Sequence, residues 1–133
     1  DAESAQWVRA AAERHHMDYV ICTKVRRGDR DVAVDLSPAR VAGRSAVILD
    51  DMASTGHTLA AAARLLRAAG ATSIDAAVTH ALFTPQALGM LQAEGIGQVW
   101  STDCIAHTSN AVQMAPVLAQ ALRSITPAGT PRA

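Results

Sequence analysis

Aromatic residues make up 3% of this 133-residue chain. A core here must therefore be built from aliphatic side chains, and Ala and Val are the most frequent of them. Charge of one sign is lacking too. Twelve Lys and Arg balance twelve Asp and Glu, which excludes the broad basic surface of a general nucleic-acid binder. No apolar run approaches the roughly 18 residues of a membrane span, and no segment reads as a signal peptide. The two cysteines, Cys22 and Cys104, form no CxxC pair. Both sit among apolar residues and read as reduced core residues of a cytoplasmic protein. At this length one domain with a real core is expected.

What is present is an alternation of short apolar runs and amphipathic stretches. Ala2 to His16 has an apolar stripe at helical spacing (Trp7, Val8, Ala11, Ala12), with Asp1 or Ser4 as its cap. Tyr19–Cys22 and Val32–Val34 read as short strands either side of a charged, Gly-containing loop, KVRRGDRD. Ala46–Leu49 is a continuous apolar run of the kind buried in a parallel sheet. His57–Ala69 reads as a helix stopped by Gly70. Ser73–Val78 reads as a strand, Pro85–Ala93 as a helix capped by Thr84, Ile96–Trp100 as a strand and Ala111–Ile125 as a helix disturbed near Pro116. The order predicts an α/β fold with a mostly parallel sheet. The domain is expected to span 1–125, with a frayed tail over 126–133.

In such sheets ligands bind beyond the carboxyl ends of the strands. There the chain reads VILDDMASTGHTL, from Val47 to Leu59. Asp50 and Asp51 close the strand. Ser54, Thr55, Gly56 and Thr58 follow in a tight turn that opens a helix. Turn N–H groups, hydroxyls and a helix N-terminus all favour an anion such as a phosphomonoester, and Gly56 permits close backbone approach. A phosphate alone has no use for two carboxylates. A sugar phosphate has, because vicinal hydroxyls donate to carboxylates or share a divalent cation with them. The same residues would also serve a plain turn with an N-cap cluster, but the full strand–DD–turn–helix pattern is the more specific signal.

VILDDMASTGHT resembles the ribose-phosphate-binding signature of the type I phosphoribosyltransferase fold. Four further segments, in order, resemble the C-terminal half of ribose-phosphate pyrophosphokinases (PRPP synthetases): DAES, TKVRRGDRDV, GATSIDAAVTHALF and STDCIAH. The resemblance implies a three-layer α/β domain, with a mostly parallel sheet flanked by helices and lacking its first strand. It implies transfer of diphosphate from ATP to ribose 5-phosphate, giving PRPP and AMP, with Mg²⁺ as cofactor. Asp50 and Asp51 would hold the ribose hydroxyls, and Ser54, Thr55, Gly56 and Thr58 the 5-phosphate. Lys24 and Arg26 would close over the transferring group as catalytic cations, and Asp1 would lie near the metal. His57 stands where many members of the family have Gly, and Ser54 where some have Asp. His80 and His107 match family positions and are expected to tie strand ends and turns together.

The resemblance covers one half of an enzyme about twice this length, and the chain opens with DAES and no Met. It is therefore expected to be a piece of a longer protein, inactive alone, with ATP bound mostly outside it and homo-oligomers as its assembly. A PRPP-using phosphoribosyltransferase and a non-catalytic PRPP synthetase-associated protein are the alternatives. The Lys-x-Arg loop and the Thr-His and Thr-Asp-x-Ile segments favour the synthetase.

Overall fold

The computed structural model describes residues 2–22 and 41–125. Asp1, the Lys24–Arg26 loop, the predicted Val32–Val34 strand and the tail lie outside the described residues. Helix α1 (Ala2–Arg14) is followed by strand β1 (Ser45–Ala53), α2 (His57–Ala68), β2 (Ser73–Ala81), α3 (Ala87–Ala93), β3 (Val99–Thr102), β4 (Asn110–Val112) and α4 (Ala115–Ile125). The strands form one sheet in the order β1-β2-β3-β4, and every pairing is parallel. This is the expected α/β architecture of a parallel sheet flanked by helices.

The core lies between the sheet and α2. Alternation along the strands sends Ile74, Ala76 and Val78 to one side, where they meet Leu59, Ala60, Ala63 and Leu66 of α2 and Leu91 of α3. Small alanines on both partners let the helix approach closely, which is how a chain poor in aromatics reaches native packing density. The turn after α2 closes at Gly70, at φ 88°. Only a residue without a Cβ adopts that left-handed conformation readily.

Several elements depart from their expected bounds. Tyr19–Cys22 forms no ladder with β1. Arg9 instead donates from Nε to the Tyr19 hydroxyl at 2.8 Å, and its guanidinium sits 5.9 Å from the ring centroid, so the segment is held to α1. A cavity of about 550 Å³ separates it from β1 and α2, lined among others by Val8, Ile21, Cys22, Ile48 and Leu59. The predicted helix over Ala111–Ile125 is a short strand and then a helix. Pro116 has no N–H and fits an α-helix only in its first turn, so α4 starts at Ala115. Similarly, α3 begins at Ala87, because Thr84 accepts from the Ala87 N–H and Pro85-Gln86 form a turn. Cys104, expected in the core, is exposed. It lies in the turn after β3, where its N–H donates to the Thr102 hydroxyl.

Candidate functional site

Strand β1 runs four residues beyond the expected Leu49, so Asp50 and Asp51 stand within it, just before its last residues Met52 and Ala53. In register, Asp50 lies beside Val78 of β2, and Met52 beside His80. Neighbouring residues of a strand face opposite sides, so the two carboxylates bracket the strand end. Asp50 is half-buried and Asp51 exposed. The Asp51 N–H donates to Asp50 Oδ1 at 3.0 Å, which fixes the Asp50 side chain against its own backbone.

Ser54 and Thr55 turn the chain into α2. Gly56 is the N-cap, at φ 78° and ψ −2°, and no side chain caps the helix. The first intrahelical bond runs from the Ala60 N–H to the Gly56 carbonyl at 2.9 Å. Hence the N–H groups at the start of α2 lack the side-chain acceptor that such positions usually have, and the positive end of the helix dipole adds to their attraction for an anion. A methyl group at Gly56 would stand 3.0 Å from Met90 and 3.2 Å from Leu91, so the turn is packed tightly onto α3. Thr55 precedes the N-cap, and its hydroxyl lies 2.9 Å from His57 Nδ1. The imidazole at this position lies exposed beside the turn, and the hydroxyl it holds belongs to the proposed phosphate cradle. Thr58 is half-buried one residue further along.

The structure thus brings Asp50, Asp51, Ser54, Thr55, Gly56 and Thr58 together at the carboxyl end of β1. Cys22 lines the cavity on the other side of Asp50. Burial, with the Asp50 charge adding to it, pushes its thiol above the ordinary value. Among the described residues no group of three or more His, Cys, Asp or Glu side chains could hold a metal ion. What they offer is one carboxylate on each side of β1, Asp50 and Asp51, and a single carboxylate suits Mg²⁺ held largely through water and substrate oxygens rather than in a protein cage.

Residues 31–126 match the model of the phosphoribosyl synthetase-associated domain. The chain belongs to that family. The chain is 33% identical over 126 residues to a ribose-phosphate pyrophosphokinase of Methanopyrus kandleri, covering 95% of this chain and 43% of the relative. It is 35% identical to ribose-phosphate pyrophosphokinase 1 of Archaeoglobus fulgidus, covering 92% of this chain and 43% of the relative. Among solved structures it superposes on phosphoribosylpyrophosphate synthetase from Mycobacterium smegmatis with a TM-score of 0.61 at 27% identity, covering 89% of this chain and 41% of that one. The chain therefore spans less than half the length of these relatives.

Sequence reasoning did not find the backing of the turn. Leu82 N–H donates to the Ala53 carbonyl at 3.0 Å, and Thr84 N–H to the Ser54 carbonyl at 3.2 Å. Nor did it find the hub at Asn110, whose Nδ2 donates to the Thr102 carbonyl at 2.6 Å and the Ile105 carbonyl at 3.0 Å. The density of Ser, Thr, Asp and Asn in STDCIAHTSN was the available signal, since these side chains bond their own backbone in turns.

Proposed function

We propose that this chain is the ribose 5-phosphate-binding part of a ribose-phosphate pyrophosphokinase. The enzyme would transfer the diphosphoryl group of ATP to the anomeric hydroxyl of ribose 5-phosphate, forming PRPP and releasing AMP. The observation that carries the reading is the side-chain-uncapped N-terminus of α2 behind the left-handed Gly56, delivered by strand β1, which carries Asp50 and Asp51 just before its last two residues. Turn N–H groups and the hydroxyls of Ser54, Thr55 and Thr58 would take the 5-phosphate. The carboxylates would accept hydrogen bonds from the ribose hydroxyls. Held this way, the sugar presents its anomeric hydroxyl at a fixed position, which is most of what a protein contributes to phosphoryl transfer.

When bound, Mg²⁺ would neutralise charge on the transferred group, with Asp50 or Asp51 sharing it with the sugar and Asp1 as a further ligand. Lys24 and Arg26 are proposed to close over the diphosphoryl group. ATP would be bound mostly by protein beyond this chain. We also propose a cytoplasmic location and a homo-oligomeric assembly. No described helix is long and apolar enough to cross a membrane.

Calorimetric titration with ribose 5-phosphate, with and without Mg²⁺, tests the reading. The chain should bind, and Asp51→Asn should bind about 10- to 100-fold more weakly, the scale of a hydrogen bond to a charged group. Absence of binding, or equal binding by the variant, would count against it.

A further inference from the structure

The phosphate turn is held from behind, and the hold can be followed to a residue remote in sequence. A peptide unit is planar and trans, so its C=O and N–H point in opposite directions. The carbonyls of Ala53 and Ser54 are drawn back by the N–H groups of Leu82 and Thr84. The N–H groups of Ser54 and Thr55, on the same two peptide units, are thereby aimed away from the 82–84 segment, as an anion cradle requires. The aim of the cradle is then set by the position of residues 82–84.

Phe83, between the two donors, is half-buried and packs against the core. Its ring centroid lies 5.4 Å from that of His107, with the rings tilted by 48°, within the range of favourable aromatic pairs. His107 is fixed in turn. Its Nδ1 accepts the Ser109 N–H at 3.2 Å and lies 2.7 Å from the Ser109 hydroxyl. Its own N–H donates to Asn110 Oδ1 at 2.9 Å, and Asn110 is anchored to the carbonyls of residues 102 and 105.

We infer that His107 is a positioning residue: its ring, held at Nδ1 by Ser109, and its backbone, held by Asn110, pack it at a tilt against Phe83 and so hold the 82–84 segment that aims the Ser54 and Thr55 N–H groups at the ligand. The inference rests on the reading of that turn as the ribose 5-phosphate cradle. Oriented sites are sensitive to such support, since a misplacement of about 1 Å can weaken function by two orders of magnitude.

The test uses the full chain, by amide-resolved nuclear magnetic resonance and by titration with ribose 5-phosphate. In ligand-free protein, His107→Ala should shift the Ser54 and Thr55 amide resonances. It should weaken ribose 5-phosphate binding about tenfold while the protein stays folded. His107→Phe, which keeps an aromatic ring against Phe83, should restore most of the affinity. A purely structural role for His107 would lower the unfolding temperature and leave those two amides and the affinity unmoved, and that result overturns the inference. Phe83→Leu keeps apolar volume and removes the ring pair, so it asks the same question should His107→Ala fail to fold. If the amides respond while the unsubstituted chain does not bind ribose 5-phosphate, the positioning link stands and the ligand assignment falls.

Discussion

On one face of the sheet Ile74, Ala76 and Val78 meet Leu59, Ala63, Leu66 and Leu91, and none of these is more than 6% exposed. On the other face Val47 and Leu49 of β1 and Val112 of β4, with Trp7 of α1 nearby, remain between 40% and 53% exposed. The residue types are alike. What differs is cover. On the first face α2 and α3 lie over the strands, and the sheet-facing alanines let them approach. On the second, α1 reaches only part of the way, and Trp7, Val8 and Ala11 enclose with Leu49, Ala77 and Trp100 a cavity of about 270 Å³. Helix α4 has no buried residue, although Val117, Leu118, Leu122 and Ile125 give it an apolar stripe. Apolar pattern thus marks surface able to be buried, and packing alone decides which of it is. The site follows the covered face, because the turn that carries it rests on Met90 and Leu91.

The largest effect is expected on the covered face. Leu91 is fully buried, and Leu91→Ala should destabilise the chain by about 2–5 kcal/mol, read from the midpoint of urea unfolding. A loss below about 1 kcal/mol would mean that this face is less tightly packed than the contacts indicate. Next comes the turn. Gly56→Ala places a Cβ in the left-handed region and against α3, so a loss of about 1–2 kcal/mol is expected, together with weaker ribose 5-phosphate binding. Unchanged stability would separate the turn from the covered face. The smallest effect belongs to α4. Leu118 is exposed, and Leu118→Gln should move stability by no more than about 0.5 kcal/mol. A larger loss would show that α4 is covered in solution, and would erase the contrast between the faces.

Much of this was legible in the sequence. The apolar run before Asp50, the stop at Gly70 and the helical stripe from Leu59 to Leu66 each follow a local rule, and each appears where that rule puts it. The six residues at the end of β1 are brought together because they are nearly contiguous. Local rules failed where a distant partner intervened. Tyr19–Cys22 has strand composition, yet a bond from Arg9 keeps it with α1. Asn110–Val112 follows on from a turn and pairs with β3, which no property of those three residues foretells. Cys104 has an apolar neighbour and lies outside, because the turn around it is organised by Thr102 and Asn110.

The sequence by itself determined the α/β order, the parallel sheet, and the strand–carboxylate–turn–helix unit. Those are encoded by periodicity and by residues a few positions apart. Tertiary structure alone decided which face of the sheet is covered and how far β1 extends. It also decided that the carbonyls behind the turn are held by residues 82–84 and, through Phe83, by His107. The physical reason is range. Propensity and turn chemistry act over a few bonds, whereas a carbonyl drawn back by a donor some thirty residues away exists only once the chain has packed.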